Sequence, residues 1–257
     1  MQDVDPRAVS RHVRSLGPVF GRVLLFDGLG STQDMAIRIA RSGAPEGSLV
    51  IARHQTAGRG RQGRSWFSPA GAGLYASFVV RPPAPPEHWP VLSVLAGVGL
   101  VESLVRAGIA DARVKWPNDC VVGGRKLAGI LADAEPDGGF AVVGVGINAC
   151  FEGRKVPADL ADRVTALDSL LPPGTDIALA CARALYDMAT TYARSLPDLA
   201  VEPGRVAPLL WTHGEARVGD VTGRVTGVTP RGELALTLAD GRSVNLSAGE
   251  VADAGGG

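Results

Sequence analysis

Six short β-type runs lie between Leu49 and Asn148, and one segment of helical length separates them. The runs are Leu49 to Gln55, Leu74 to Arg81, Arg113 to Trp116, Val121 to Val122, Arg125 to Asp133 and Phe140 to Asn148. Their β-branched and aliphatic residues are bounded by Gly, Pro and Asn/Asp clusters, which is how strands read in a sequence. Gly123-Gly124 supplies a two-residue hairpin turn between two of them. The helical segment, Val91 to Ile109, is almost wholly apolar and so expected to be buried, with Gly97 and Gly99 weakening it locally. A chain of this kind reads as α+β.

The flanks extend that reading. Val23 to Phe26 is a short strand, after which Ser31 or Thr32 can cap a helix that ends at Gly43. Met35, Ala36, Ile39 and Ala40 share one face of that helix. Asp176 can cap a long helix from Ile177 to Ser195, and residues 197–206, with Pro197, Pro203 and Gly204, read as a linker. From Ala216 the pattern changes to short β runs, Asp220 to Val225, Leu234 to Leu238 and Ser243 to Leu246, with Asp240-Gly241 as a hairpin turn. This predicts a small β-barrel, hence a division into residues 1–205 and 206–257, with a disordered tail at Gly255 to Gly257.

Composition narrows the function classes. Lys plus Arg and Asp plus Glu are 26 each, so no net field recruits nucleic acid or an anionic membrane. Three unpaired cysteines, Cys120, Cys150 and Cys181, and the scattered His12, His54, His88 and His213 argue against a disulfide framework or a zinc site. No secretory leader is expected from the Met-Gln-Asp-Val-Asp start. The apolar stretch Val91 to Val101 stops at Glu102, short of a bilayer span. A soluble, cytoplasmic protein is expected.

The chemistry concentrates in three places. Gly58-Arg59-Gly60-Arg61-Gln62-Gly63-Arg64-Ser65-Trp66 is a glycine-jointed loop with three guanidinium groups, closed by an indole. Such a loop can approach a ligand with its backbone, neutralise a polyphosphate with bidentate bonds and stack on a purine; alone, it reads first as a solvated loop or an RNA patch, and the Trp-Phe-Ser-Pro exit and the lysine motifs reverse that. Lys115-Trp116-Pro117-Asn118-Asp119 follows a strand, and Lys126-Leu127-Ala128-Gly129-Ile130-Leu131 follows the hairpin turn. In isolation Lys115 and Asp119 read as a surface charge and a turn former, and Lys126 as snorkelling or serving a site.

Lysine usage tips the balance, because 23 of the 26 basic residues are Arg and only Lys115, Lys126 and Lys155 are Lys. Where Arg is the default, Lys marks places that need a compact ammonium. Weaker signals are Ser31-Thr32-Gln33 at a helix start, Gln55 at a strand end, and Gly144 to Asn148, a strand whose glycines permit close approach. No Gly-x-x-x-x-Gly-Lys-Ser/Thr loop is present.

Taken together, from Leu24 to Asn148, these segments resemble the catalytic core of the biotin protein ligases, of the monofunctional type without an N-terminal DNA-binding domain. The resemblance implies a mixed β-sheet flanked by helices, like the class II tRNA synthetase core, followed by an SH3-like barrel. It implies an enzyme that activates biotin as biotinyl-5′-AMP with Mg-ATP and passes it to a lysine of a biotin carboxyl carrier protein domain. By the family pattern, Ser31, Thr32, Gln55, Arg59, Gly60, Arg61, Lys126, Gly129, Leu131 and Gly144 bind biotin. Arg59, Arg61, Arg64, Trp66, Lys115, Asn118, Lys126 and Asn148 face ATP or the adenylate, and Lys126, Arg61 and Asp119 are catalytic. Asp119 can orient Lys126, hold Mg²⁺ or take the incoming lysine's proton. The family often has Asn after Ser-Thr, and this chain has Gln33. A carboxylase carrier domain is the implied partner, with no DNA or membrane, for a monomer or homodimer. Lipoate ligases share the fold and are the rival reading; a non-catalytic nucleotide- or RNA-binding module would not need Lys126.

Overall fold

The computed structural model describes residues 3–212 and 214–253. His213 and the expected disordered tail at Gly255 to Gly257 lie outside the described residues.

A seven-stranded sheet forms the centre, built from β1 (Val23–Phe26), β2 (Leu49–Ala52), β3 (Gly73–Val80), β4 (Ala112–Lys115), β5 (Asp119–Val122), β6 (Arg125–Glu135) and β7 (Phe140–Asn148). Their spatial order is β1-β2-β3-β7-β6-β5-β4. Only β1 and β2 run parallel; the other pairs are antiparallel, so the sheet is mixed. The β5–β6 turn is made by Gly123 and Gly124, whose φ of 55° and 75° suit the tight hairpin read from the sequence.

The helices are α1 (Pro6–Leu16), α2 (Thr32–Arg41), α3 (Leu92–Arg106), α4 (Ala158–Ala161), α5 (Ile177–Arg194) and α6 (Pro203–Val206). Ser31 caps α2 by accepting from Gln33 N–H, and Asp176 caps α5 by accepting from Leu179 N–H. α2 buries Ala36 and Ala40 against Val50, Val79, Phe140 and Val142 on one face of the sheet. α3 and α5 fill the larger core on the other face, with α1 behind α5. At Gly99 a side chain would strike the Asp187 carbonyl of α5 at 2.7 Å, so the glycine that weakens α3 also lets the two helices touch.

Four points of the sequence reading need correction. Helix α1 was not anticipated, although Asp5 caps it with Pro6 at its first position, and Val9 and Val13 are fully buried. The strand expected to reach Gln55 stops at Ala52, and Gln55 is held beyond it by a bridge to Leu29. Residues 197–206 are not an exposed linker: Leu199, Val201 and Val206 are buried, so their apolar side chains anchor the segment to the core. The helical stretch Pro86–Arg106 is long and apolar enough to cross a membrane by length and composition, beyond the shorter run judged from sequence, and most of it is buried inside the protein.

The C-terminal part is a five-stranded antiparallel sheet of β8 (Glu215–Val218), β9 (Val221–Val228), β10 (Leu234–Thr237), β11 (Ser243–Leu246) and β12 (Val251–Asp253). Its order is β11-β10-β9-β8-β12, with β11 and β12 at its edges. It docks on the larger sheet through the Trp116 indole, which donates to Gly232 O at 2.8 Å, and through Trp211 N–H, which donates to Val114 O at 2.9 Å.

Candidate active site

The site begins with bare backbone. Gly129 of β6 lies opposite Gly146 of β7, and Gly144 lies opposite both Leu131 of β6 and Ser77 of β3. The Trp66 indole rests on the first pair: a Cβ at Gly146 would collide with its ring nitrogen, and one at Gly129 would lie 2.9 Å from the ring. A Cβ at Gly144 would collide with the Gln33 amide. The glycines thus leave a floor on which an indole and a ligand can lie flat. The indole N–H is buried and unpartnered.

Polar groups from α2 and the loop after β2 close one end. Gln55 Oε1 accepts from Thr32 N–H at 2.8 Å and from Thr32 Oγ1 at 3.1 Å, while Gln55 Nε2 donates to Ser68 Oγ at 2.9 Å. Ser77 Oγ lies 2.9 Å from Thr32 Oγ1 and 3.0 Å from Gln33 Oε1. One hydroxyl proton serves only one acceptor at a time. Gln33 spans to β7 and donates to Val142 O at 3.1 Å. This is a largely buried, re-pairable set of amide and hydroxyl groups, suited to a small ring that carries both donors and an acceptor.

The glycine–arginine loop covers the site. Its ends are pinned by Gly60 N–H to Arg64 O at 2.7 Å and Trp66 N–H to Gly58 O at 2.8 Å. The three guanidinium groups fan apart. Arg59 pairs with Asp34 at 2.7 Å and Asp133 at 3.1 Å, Arg61 donates to Asn118 Oδ1 at 2.8 Å, and Arg64 pairs with Glu250 at 2.9 Å. Glu250 belongs to the C-terminal sheet's final turn, and nothing in the sequence flagged it. The Arg64 guanidinium holds its carboxyl below the usual glutamate range, against the opposing effect of burial, and the fields of Lys115 and Lys126 add to the lowering.

Lys126 stands in the middle. Its Nζ lies 2.8 Å from Asp119 Oδ1 and 5.3 Å from the centre of the Trp66 ring. Asn118 Nδ2 donates to the same Asp119 oxygen at 2.9 Å and to Ile130 O at 3.2 Å, so the Lys-Trp-Pro-Asn-Asp turn is fixed to β6. Asn148 is buried and donates to Lys126 O at 3.2 Å; it lines neither hollow described next.

Two hollows result. Ser31, Thr32, Gln55, Arg59, Gly129, Leu131 and Gly144 line the first, and Arg64, Lys115, Asp119 and Glu250 line the second. Gly60, Arg61, Trp66, Asn118 and Lys126 belong to both and form the wall between them. Gln33, Ser77 and Gly146 also line the first; Gln33 and Gly146 stood among the weaker sequence signals, and Ser77 was not singled out. Ser77 was detectable in principle, as the one small polar residue in the otherwise aliphatic and aromatic Leu74 to Val80 run. Among the described residues no cluster of three or more His, Cys, Asp or Glu could hold a metal ion. The cysteines are buried, and burial pushes the Cys120 thiol up to about 12 and Cys150 up to about 11, so neither is a ready thiolate nucleophile.

Comparison with known proteins gives a consistent result. Residues 26–148 match the model of the Biotin/lipoate A/B protein ligase family. The bifunctional ligase/repressor BirA of Bacillus subtilis is 34% identical over 237 residues, which cover 87% of this chain and 72% of that protein. The biotin--[acetyl-CoA-carboxylase] ligase of Mycobacterium tuberculosis is 36% identical over 233 residues, 86% of this chain and 85% of that protein. Among solved structures, the biotin protein ligase from Aquifex aeolicus in complex with biotin and ATP superposes with a TM-score of 0.75 at 25% identity, over 91% of this chain and 98% of that one.

Proposed function

The chain belongs to the Biotin/lipoate A/B protein ligase family, and from that premise we infer that it is an ATP-dependent biotin–protein ligase. It activates biotin as biotinyl-5′-AMP and transfers the biotinyl group to a lysine of a biotin carboxyl carrier protein domain. The observation that carries this reading is the pair of hollows meeting at Lys126 and Arg61. One hollow suits an acyl substrate with a polar ring and the other suits a nucleotide, so a carboxylate and an α-phosphate would meet at their common wall.

In the first half-reaction a biotin carboxylate oxygen attacks the α-phosphorus, the new P–O bond forms, and the bond to pyrophosphate breaks. In the second, the neutral amine of the carrier lysine attacks the acyl carbon, AMP leaves with the bridging oxygen, and the amine gives up a proton. No enzyme nucleophile is required, so positioning and charge stabilisation supply the rate. We assign Lys126 and Arg61 to stabilising the charge that grows on the α-phosphate. Asp119 is read as the group that orients Lys126, a role supported by their 2.8 Å contact.

Ser31, Thr32, Gln55 and the backbone of Arg59 to Arg61 would hold the biotin ring, with Gly129, Leu131 and Gly144 alongside. Arg59, Arg61, Arg64, Trp66, Lys115 and Asn118 would serve the nucleotide. Asn148 is assigned to the adenylate through Lys126, whose carbonyl it holds. Mg²⁺ would arrive with ATP on the phosphate oxygens. The two carboxylates of the second hollow, Asp119 and Glu250, already pair with Lys126 and Arg64, and a built all-protein cage is not needed for a cation carried by a nucleotide.

The family includes lipoate ligases, and one feature favours biotin. The amide and hydroxyl cluster of Thr32, Gln33, Gln55 and Ser77 can exchange hydrogen bonds with a ureido ring, whereas a dithiolane ring offers it neither N–H nor carbonyl. We further read residues 1–205 as the catalytic unit and 206–257 as the accessory β unit. The protein is read as cytoplasmic, a monomer or homodimer acting on a carboxylase carrier domain without DNA or membrane; the net charge of zero supports this. Isotope exchange between pyrophosphate and ATP tests the reading. It should depend on biotin and not respond to lipoate; exchange driven by lipoate alone, or none with either, would overturn it.

A further inference from the structure

Lys115 closes β4 at the rim of the second hollow, and its ammonium lies 4.7 Å from the centre of the Trp211 ring. The two carboxylates of that hollow are taken by other cations, Asp119 by Lys126 and Glu250 by Arg64. Trp211 is itself well fixed. Its backbone N–H donates to Val114 O at 2.9 Å, its neighbour Leu210 is 3% exposed and bridges Val114, and its ring packs against the main core. It stands at the seam where the chain leaves the catalytic sheet for the C-terminal one.

An aromatic partner does something a carboxylate cannot. A carboxylate would neutralise the ammonium and occupy its donors before a phosphate arrived. An indole face attracts the cation through its quadrupole without neutralising it, and leaves the N–H donors that face away from the ring free for a phosphate. It also narrows the conformations open to a flexible four-carbon stem, which otherwise costs freedom when it is ordered on binding.

Resting on the reading of the second hollow as a nucleotide site, we propose that Trp211 is a positioning residue for ATP: its indole holds the Lys115 ammonium over that hollow, charged and free to meet a phosphate oxygen. The seating of the C-terminal sheet is thereby linked to nucleotide affinity, since Trp211 lies in the segment that delivers it.

The test compares full-length wild type, Trp211→Leu, Trp211→Phe, Lys115→Ala and the Trp211→Leu/Lys115→Ala double variant. The readouts are the KM values for ATP and biotin in pyrophosphate exchange, the calorimetric Kd for ATP alone, and circular dichroism for fold. Trp211→Leu should raise both the KM and the Kd for ATP about 3- to 10-fold, the size of one moderately exposed cation–π contact, and leave the KM for biotin unmoved. Trp211→Phe should restore most of the loss, and the Leu change should add nothing where Lys115 is already Ala. Trp211→Met, similar in length but without a ring, serves if the Leu variant does not fold. Unchanged ATP affinity in Trp211→Leu, a Phe variant as poor as Leu, or full additivity with Lys115→Ala would each overturn the proposal. Wild type that binds ATP but exchanges without regard to biotin would overturn the ligase reading and leave the Trp211 comparison in force; wild type that neither binds ATP nor supports exchange would overturn both.

Discussion

Lys126 is held from three sides: by the Asp119 carboxylate, by the face of Trp66, and through its own carbonyl by Asn148. That restraint suits a point charge meant for one place between two ligands. A guanidinium at the same position would be longer and planar, and would press on the indole that lies on the glycine floor. Both Lys126→Arg and Lys126→Ala should therefore fold, since the side chain is 34% exposed, and both should form biotinyl-AMP slowly. The expected loss is about 10²–10³-fold in the single-turnover rate, roughly 3–4 kcal/mol. A folded Lys126→Arg protein with a near-normal rate would return this lysine to a structural role. Lys126 was legible from sequence because rarity and motif coincide there. Gln33, Ser77 and Gly146 were only faintly legible, because their importance lies in cross-strand neighbours distant in sequence: Ser77 opposite Gly144, and Gly146 beneath Trp66.

At the scale of elements, the arginine loop is the part most nearly written in the sequence, and its partners are the part least so. Each guanidinium reaches a different element: Arg59 to α2 and β6, Arg61 to the turn before β5, and Arg64 to the C-terminal sheet's last turn. A local motif encodes the loop, whereas tertiary structure chooses the acceptors. The same limit hid the role of residues 197–206, where proline and glycine suggested a tether while Leu199 and Val206 are buried. That segment is also clamped by charge. Arg205 of α6 makes a two-point contact with Glu102 of α3, with both donor–acceptor distances at 2.6 Å.

The Arg205 guanidinium holds the Glu102 carboxyl below its ordinary 4.5, against the opposing cost of burial. A carboxyl with a depressed folded value contributes stability above its unfolded value and loses it as pH falls through the folded one. Glu102→Gln should thus lower Tm at pH 7, by about 1–2 kcal/mol of stability. Its deficit against wild type should shrink once the pH drops below 4.5. Thermal melts at the two pH values check this, and an equal deficit at both would contradict it.

At the scale of the molecule, a mixed seven-stranded sheet carries both hollows and a five-stranded antiparallel sheet sits against the second, contributing Glu250 and, in the chain leading to it, Trp211. The sequence marked both units by a change in pattern near Ala216, where strand and turn signals become short and regular. It did not indicate that they share a hollow, because no residue of the second unit carries a motif. The account's central claim is that the two hollows make one acyl-transfer site whose product is a biotinylated lysine on another protein. The most direct measurement is intact mass, with peptide mapping, of a biotin carboxyl carrier domain incubated with this protein, biotin and Mg-ATP. The account predicts a gain of one biotinyl group, on a single lysine and only with ATP present; a carrier whose mass does not change, or one modified by lipoate in place of biotin, would contradict it.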